Sequence, residues 1–376
     1  MKKNKNLKLL ENLGIIVNII LTIILIMIIL IKTNYIVSLY PKNYEIIIIL
    51  IAGLIFYLTL YIQLIIHELG HLIFGLITNY KFSSFRIGNI ILIKNKKKFK
   101  VKLLKITGTG GQCIMTPPDL INNKMPVTLY NLGGVLLNII TALIFIGLHI
   151  INYNNIILAY IFDILAIFGF YFGALNGIPM KMGIIDNDGL NTISLVKDSN
   201  AQKALWTQLK INENLSNNKR LKDMHKEWFE LDKNANLNNS IIATIAVYQC
   251  NKLMDEHNFK KAKKQISDLL KKETAILGIH QNLLICDHIY CELIEGNINK
   301  AKQLYTSSLK KFMVSMNDFP TIIRTNYAIS LLLEKNHSKA NSYLKQFIKR
   351  CKTYPYSSDM IAERELISIA TAITKQ

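Results

Sequence analysis

Hydrophobic and polar positions divide the chain into two halves. Four long apolar runs cover residues 13–31, 46–78, 128–151 and 156–178, and no comparable run occurs after residue 200. A helix that crosses a bilayer needs about 20 mostly apolar residues, so each run is predicted to be a membrane-spanning helix. Residues 1–199 are therefore expected to form one membrane-embedded domain.

The second apolar run differs from the other three because it is both longer and interrupted. It contains His67, Glu68 and His71 near its end, and it exceeds a single bilayer crossing. We therefore expect this helix to tilt or its last turns to lie inside the protein.

Basic residues in the connecting segments predict the orientation of the four spans. Segment 79–127 contains ten Lys and Arg, whereas segments 32–45 and 152–155 together contain only Lys32 and Lys42. Because cytoplasmic loops carry an excess of positive charge, segment 79–127 is expected in the cytoplasm. Four spans then place the N- and C-termini on the cytoplasmic side of a multi-pass protein of the cell membrane.

The cytoplasmic segment shows a period of two. Lys98–Leu103 alternates lysine with apolar residues, which indicates a strand. Phe85–Ile93 is the predicted partner strand and Lys94–Lys97 the connection, which gives a short β-hairpin at the membrane surface. Thr107–Pro118 is rich in glycine and ends in two prolines, which predicts irregular backbone.

The second half of the chain contains an internal repeat. Segments Glu256–Ala262, Glu295–Ala301 and Glu334–Ala340 are similar at a constant spacing of 39 residues, and apolar-periodic stretches flank them. Each copy predicts two helices joined by a turn, and stacked helical hairpins form a solenoid. Residues 241–376 thus resemble a tetratricopeptide-type array with a longer period than usual, which would bind a protein partner. Residues 200–240 are expected to be a helical connector.

Composition narrows the class of protein. Hydrophobic residues make up 51% and charged residues 19% of the chain, which excludes intrinsic disorder. The 45 Lys and Arg against 25 Asp and Glu give a net charge of +20. We attribute this charge to cytoplasmic loops and helical surfaces rather than to nucleic-acid binding. The five cysteines form no Cys-x-x-Cys pair, so reduced thiols are expected.

The strongest chemical signal is the sequence His67-Glu68-Leu69-Gly70-His71 in the second span. At helical spacing the two histidines lie on one face, one turn apart, and can bind one metal ion through two imidazoles. Three ionisable side chains inside a membrane helix are costly without a compensating partner, which favours a metal site over a chance match. Glu68 is adjacent and is predicted to act as a general base.

A catalytic zinc site uses three protein ligands, so one more is required. Asn176–Pro179 and the carboxylates of Asp186 and Asp188 follow the fourth span. The second and fourth spans are both expected to run from the outside to the cytoplasmic side. Their ends then lie at a similar depth, and a carboxylate after the fourth span can reach the histidines.

These residues resemble the site-2 protease family of intramembrane zinc metallopeptidases. That family has HExxH on a membrane helix and takes its third ligand from an Asn-x-x-Pro … Asp-Gly motif on a later one. Asn176–Pro179 and Asp188-Gly189 match this motif, and Gly133–Asn138 resembles the family's Gly-Pro-x-x-Asn element with Val in place of Pro. The resemblance covers residues 46–190.

The resemblance implies one zinc ion bound by His67, His71 and Asp188. Asp188 follows Pro179 by nine residues, which is longer than usual in the family. Asp186 follows it by seven but lacks the glycine after it. We therefore keep Asp186 as the alternative third ligand.

The same resemblance implies an intramembrane zinc metalloendopeptidase that cleaves a peptide or small membrane protein near the cytoplasmic face. Both regulated intramembrane proteolysis and maturation of a peptide such as a bacteriocin fit it. Glu68 is the predicted catalytic residue, and Asn138 and Asn176 are the candidate substrate-binding residues. For Asn138 a hydrogen bond between membrane helices is an equal alternative. The alternative for the whole chain is a non-proteolytic zinc-binding membrane sensor or a peptide transporter.

The predicted fold class is an all-α polytopic membrane protein with about four transmembrane helices, a small membrane-surface β-hairpin and a C-terminal α-solenoid domain. Its expected partners are a membrane-associated peptide or protein substrate, the lipid bilayer and a protein bound to the repeats. No nucleic acid is expected.

Overall fold

A computed structural model describes residues 5–106, 108–182, 185–232 and 234–374. Four long apolar helices lie where the four apolar runs predict them, with small shifts at their ends. They are α1 (Lys5–Ser38), α2 (Glu45–Ile77), α3 (Thr128–Ile151) and α4 (Ile156–Gly177). All four are long and apolar enough to cross a membrane, so the prediction of about four spans is confirmed at this level.

The four helices form a bundle in which α3 packs against both α2 and α4. Glycine allows the closest approach, because a Cβ on Gly70 would lie 2.2 Å from the carbonyl oxygen of Gly133, and one on Gly133 would lie 2.5 Å from that of Gly70. Such a backbone contact between membrane helices excludes any larger residue. The crossing of α2 and α3 is therefore fixed one residue before His71.

Helix α1 is attached to the bundle through polar contacts with α4. Lys32 Nζ lies 2.6 Å from Asp163 Oδ2, and Asp163 Oδ1 lies 3.1 Å from His149 Nδ1 on α3. Charged groups at membrane depth are costly unless they are paired. This ion-pair cluster therefore connects three helices at the end of the bundle opposite the HExxH sequence.

A four-stranded antiparallel sheet follows α2, where the sequence predicts a two-stranded hairpin. Its strands are β1 (Lys81–Ile87), β2 (Ile90–Asn95), β3 (Lys98–Leu103) and β4 (Gly111–Thr116), in the spatial order β3-β2-β1-β4. The hairpin of β2 and β3 is confirmed, with Asn95 opposite Lys98.

Two predictions for this segment are wrong. The expected strand Phe85–Ile93 is divided by a turn at Gly88, whose positive φ of 56° suits glycine. Residues 111–116, expected to be irregular, form β4 and pair with β1. The glycines before this strand concealed a short run of β-forming residues.

Ten further helices follow the bundle. They are α5 (Asp188–Val196), α6 (Ser199–Ser216), α7 (Ser240–Asp255), α8 (Phe259–Lys271), α9 (Gly278–Ile294), α10 (Ile298–Leu304), α11 (Ser307–Ser315), α12 (Pro320–Ala328), α13 (His337–Thr353) and α14 (Ser357–Ile373). A two-residue hairpin, β5 (Lys181–Met182) with β6 (Ile185–Asp186), lies between α4 and α5. The predicted connector is α6 followed by 3₁₀ turns and irregular backbone.

The 39-residue repeat corresponds to three helix–turn–helix units. The turns contain one residue with positive φ at the same repeat position, which is His257, Gly296 and Lys335. An alanine five residues later is buried in each unit, and these are Ala262, Ala301 and Ala340. The units are thus real structural repeats, whereas their classification as a tetratricopeptide-like solenoid stays a prediction.

The sheet packs directly against the C-terminal helices. Ile91 and Ile93 of β2 lie in one buried cluster with Tyr354 and Tyr356, which lie between α13 and α14. Arg350 Nη2 also donates a hydrogen bond of 3.0 Å to the carbonyl of Leu103. One continuous apolar core therefore joins the sheet to the repeats.

The glycine contact between α2 and α3 generates a stability prediction. In the Gly70→Ala variant the new methyl group would collide with the backbone of α3, and overpacking of this kind costs about 1–3 kcal/mol. We expect a lower melting temperature of the full chain in detergent. Gly53→Ala on the same helix is the matched control, because nothing lies within 4 Å of its added Cβ. Equal melting temperatures of the two variants would contradict the contact.

Candidate metal centre and active-site cleft

Three side chains from two distant parts of the chain converge near the end of α2 that is predicted to lie on the cytoplasmic side. His67 Nε2 lies 3.0 Å from Asp188 Oδ2, and His71 Nε2 lies 3.4 Å from the same oxygen. The two Nε2 atoms are 3.2 Å apart. Among the described residues these three form a group whose ligand atoms all lie within 4.8 Å of one another.

A hydrogen-bond partner at Nδ1 fixes the orientation of each imidazole. His71 Nδ1 lies 2.8 Å from the carbonyl oxygen of Tyr130, which can only accept a hydrogen bond. Nδ1 of His71 therefore carries the proton, and its Nε2 presents a lone pair toward Asp188. A ligand histidine that donates its other N–H to a carbonyl is typical of metal sites.

His67 is oriented in the same manner by an amide. Its Nδ1 lies 2.8 Å from Asn138 Oδ1, while Asn138 Nδ2 donates to the backbone carbonyl of Gln63 at 3.1 Å and to its side-chain oxygen at 2.8 Å. Because Nδ2 of Asn138 faces two acceptors, its Oδ1 is the atom that faces His67. His67 Nε2 then also presents a lone pair.

Asn138 is fully buried, and its amide is occupied by this network. It therefore contacts α2, which is the helix–helix alternative considered for it. A substrate-binding role for Asn138 stays a prediction. Gln63 extends the network, since its Nε2 donates a hydrogen bond of 2.8 Å to the carbonyl of Leu165 on α4.

Asp188 is the first residue of α5, and Asn187 fixes its position. Asn187 caps the helix by accepting from the N–H of Leu190, and its Nδ2 donates to the carbonyls of Leu175 and Ile178 at the end of α4. The residue that carries the carboxylate is thus attached to the fourth membrane helix by side-chain hydrogen bonds. Sequence reasoning missed Asn187, although Asn before a helix start is a common capping signal.

Asp186, the alternative third ligand, lies outside the group. Its Oδ1 accepts from Lys181 Nζ at 2.7 Å, and its Oδ2 accepts from Ser240 Oγ at 2.5 Å. Both carboxylate oxygens are therefore engaged by other side chains. Asp186 connects the β5–β6 hairpin to the start of α7.

The donor set fits a metal ion. Two imidazole lone pairs and one carboxylate oxygen point at one another, and the buried Oδ2 of Asp188 makes no hydrogen bond. Three electron-pair donors in contact are destabilising unless a cation or proton lies among them. Two histidines and one carboxylate are a ligand set used by catalytic zinc sites.

Glu68 lies beside this group and is buried. A Cβ on Gly111 of β4 would lie 2.4 Å from Glu68 Oε1, so the backbone of β4 passes directly over the carboxylate. The absence of a side chain at position 111 therefore leaves room for Glu68. On the other side, a Cβ on Gly134 would lie 2.5 Å from the His67 ring.

Arg86 supports the segment that covers Glu68, and sequence reasoning missed it. Its guanidinium is fully buried and donates to the carbonyls of Gly88 at 2.7 Å and Gly111 at 3.0 Å, and also to the hydroxyl of Thr109. A buried cation with these backbone partners holds the turn after β1 to the segment that leads into β4. Burial lowers the pKa of Arg86 from its usual range.

Cys113 follows on the same strand and is buried. Burial raises the pKa of its thiol well above the usual range, which keeps it protonated and unreactive. Its carbonyl accepts a hydrogen bond of 3.0 Å from the hydroxyl of Tyr130, whose own carbonyl holds His71. The backbone carbonyl of Cys113 thus helps, through Tyr130, to hold His71 in place.

A cavity of about 870 Å³ opens beside the three converging side chains. Its walls come from α2, α4, the segment 108–114, α5, α6, α7 and the start of α9. Asn176 lines this cavity with a half-buried side chain whose Nδ2 donates to the carbonyl of Phe172 at 3.0 Å. Of the two predicted substrate-binding residues, Asn176 is therefore the one on the cavity wall.

Three candidate metal ligands with an adjacent glutamate at the end of an apolar helix, open to a cavity, are typical of a membrane metallopeptidase. A comparison with protein families agrees, because the model of peptidase family M50 matches residues 55–321, which is more than half of the chain. The chain belongs to peptidase family M50, the site-2 protease family. Comparisons with curated proteins and with solved structures find no match.

The support of His67 generates a prediction about metal affinity. Asn138→Leu removes the acceptor that fixes the His67 tautomer, and loss of such a partner typically costs 10–100-fold in metal affinity. We expect that loss in competition of the purified full chain with a fluorescent zinc chelator. Thr141→Val on the same helix is the control, because Thr141 bonds only the carbonyls of its own helix. Unchanged affinity in Asn138→Leu would remove Asn138 from the metal site.

Proposed function

We propose that the protein is an intramembrane zinc endopeptidase that cleaves a membrane-associated peptide or small membrane protein near the cytoplasmic face. The observation that carries this proposal is the convergence of His67, His71 and Asp188 beside Glu68, on the wall of a cavity that begins at membrane helices. Family membership supports metallopeptidase activity. A sensor or a transporter would not require a glutamate held beside the metal ligands.

The three ligands proposed here would hold one zinc ion, which supplies a Lewis acid that polarises the scissile carbonyl and acidifies a water molecule. Glu68 takes the proton of the attacking water and delivers it to the departing amine. Asn138 and the carbonyl of Tyr130 keep both imidazoles in the tautomer that binds metal. Asn187 keeps Asp188 in place through its bonds to α4.

Burial of the proposed catalytic side chains favours peptide hydrolysis at this site. Glu68 and His67 are both buried, and exclusion of bulk water strengthens each electrostatic interaction with the reacting groups. Arg86 holds the segment above Glu68 through its hydrogen bonds to Gly88, Thr109 and Gly111. The catalytic groups are therefore arranged before substrate binds.

The substrate must be extended where it is cut, because a helical carbonyl is already hydrogen-bonded. The strand order leaves β4 at an edge of the sheet, and β4 passes over Glu68. An extended peptide can add to such an edge through backbone hydrogen bonds. The position of Gly111 therefore favours β4 over the β2–β3 hairpin for this role.

The ends of the cavity fit a membrane-associated substrate. Tyr57, Leu60 and Leu64 of α2 with Phe172 of α4 line the part within the helical bundle, which suits an apolar segment. We place the sheet and the C-terminal helices on the cytoplasmic side, because segment 79–127 carries ten basic residues. Both chain termini then lie in the cytoplasm.

Replacement of the proposed base tests the enzyme assignment. Glu68→Gln keeps the shape of the side chain but cannot accept the proton, so we expect cleavage to fall by at least about 100-fold while zinc stays bound. Mass spectrometry of small membrane proteins and released peptides in cells that make the wild type or Glu68→Gln identifies the substrate. A fragment that requires intact Glu68 establishes proteolysis.

The opposite result is equally informative. If no fragment differs although both proteins are equally abundant and bind equal amounts of zinc, the protein is not a protease under those conditions. The zinc-binding sensor or the peptide transporter would then be the better assignment.

A paired substitution distinguishes the two aspartates. Asp188→Asn weakens one of three ligands, so we expect the purified variant to lose most of its zinc on dialysis, as measured by inductively coupled plasma mass spectrometry. Asp186→Asn preserves a hydrogen-bonding side chain opposite Lys181 and Ser240 and should retain zinc. Loss of zinc from Asp186→Asn alone would reverse the assignment.

A further inference from the structure

We propose that α6, α7 and the start of α9 form the distal end of the substrate cleft, and that this end binds an extended peptide segment of uncharged residues while excluding acidic ones. The inference rests on the proposed proteolytic function and adds the substrate class. It also gives the C-terminal helices a direct part in peptide recognition, in addition to any role in recruiting partners.

A single cavity connects the metal ligands to these helices. Its distal end is lined by uncharged polar and apolar side chains of α6, α7 and the start of α9, which are Gln208, Asn212, Ser240, Thr244 and His280 together with Leu205, Leu209, Ile241 and Leu277. The same cavity contains His67 and Glu68. A peptide cut at Glu68 can therefore continue into the distal end without leaving the protein.

The distal side chains are held in place before any peptide binds. Gln208 Nε2 donates to the carbonyl of Ile241 at 2.6 Å, and Asn212 Nδ2 donates to the carbonyl of Gln208 at 2.9 Å. Thr244 Oγ1 donates to the carbonyl of Ser240 at 2.9 Å. Side chains that are already ordered lose little conformational entropy when a peptide binds.

His280 supplies an unpaired polar atom in this wall. Its Nδ1 is buried and has no hydrogen-bond partner among the described residues. Burial lowers the pKa of His280 to about 4, so the imidazole is neutral at pH 7. A buried polar atom without a partner is destabilising, and a hydrogen bond from or to a peptide would remove that cost.

The charge of the cavity wall sets the selectivity. Glu68, Asp186 and Asp188 line the cavity, but no lysine or arginine does among the described residues, although the chain contains 45 of them. Lys181 neutralises Asp186 from outside this lining. At the distal end an acidic peptide side chain would lose water without finding a lysine or arginine of the described lining to pair with, which disfavours binding.

The cavity therefore changes character along its length. It is apolar and aromatic between α2 and α4, contains the three candidate metal ligands in its middle, and mixes uncharged polar with apolar side chains at its distal end. This order matches a substrate in which an apolar membrane segment is followed by a mixed, uncharged segment. The scissile bond would lie at the junction.

Cleavage profiling of the purified full chain with a defined mixture of diverse synthetic peptides tests the inference. We expect wild-type cuts to show a preference for uncharged residues, and a depletion of Asp and Glu, on one side of the cut. His280→Ala should lower kcat/KM about tenfold, the effect of one buried hydrogen bond, for peptides long enough to reach the distal end. Shortened peptides should be cut equally by both proteins.

A second variant with an expected gain of function tests the same site if His280→Ala fails to fold. Gln208→Lys places a cation at the distal end, so it should increase cleavage of peptides with Asp or Glu at the distal positions. His337→Ala, at the exposed first position of α13, is the matched control and should leave the profile unchanged.

The outcomes separate the two levels of the proposal. No cleavage by the wild type would overturn the proteolytic function itself. Cleavage that requires Glu68, with profiles of His280→Ala and Gln208→Lys identical to that of the wild type, would overturn only the distal site. A wild-type preference for acidic residues at the distal positions would also overturn it.

Discussion

The close approach of α2 and α3 is the constraint on which the site depends. Gly70 and Gly133 bring the two backbones into contact one residue before His71. That contact puts the carbonyl of Tyr130 and the amide of Asn138 behind the two histidines. With both Nδ1 atoms protonated, the two Nε2 lone pairs and the carboxylate of Asp188 face one another as a donor set that fits a cation. The geometry of a helix crossing thus sets the spacing of the candidate metal ligands.

Much of this arrangement can be predicted from the sequence, because the relevant signals are local. Apolar runs define the four helices, and the i, i+4 spacing of His67 and His71 defines one helix face. Asp188 was expected near them from topology, and the structure brings the three together. The identity of the metal and the catalytic role of Glu68 remain predictions for experiment.

The missed features depend on contacts between distant segments. Residues 111–116 begin at the last of three closely spaced glycines, Gly108, Gly110 and Gly111, and only pairing with β1 makes them a strand. In the sequence, nothing distinguishes Arg86 from the other basic residues of a Lys-rich loop. Its role follows only from its burial and its contact with Gly111. The 39-residue repeat predicts helix–turn–helix units. It does not predict the contact of their last helix with the sheet, because a repeat pattern describes only how its own units pack.

That contact has a consequence for the order in which the protein is synthesised. Ile91 and Ile93 of the sheet share a core with Tyr354 and Tyr356 near the final helix, so the sheet emerges from the ribosome long before the residues that cover it. Domains fold progressively during synthesis, and uncovered apolar strands are prone to aggregate. This face of the sheet is therefore covered only when translation has passed Tyr356.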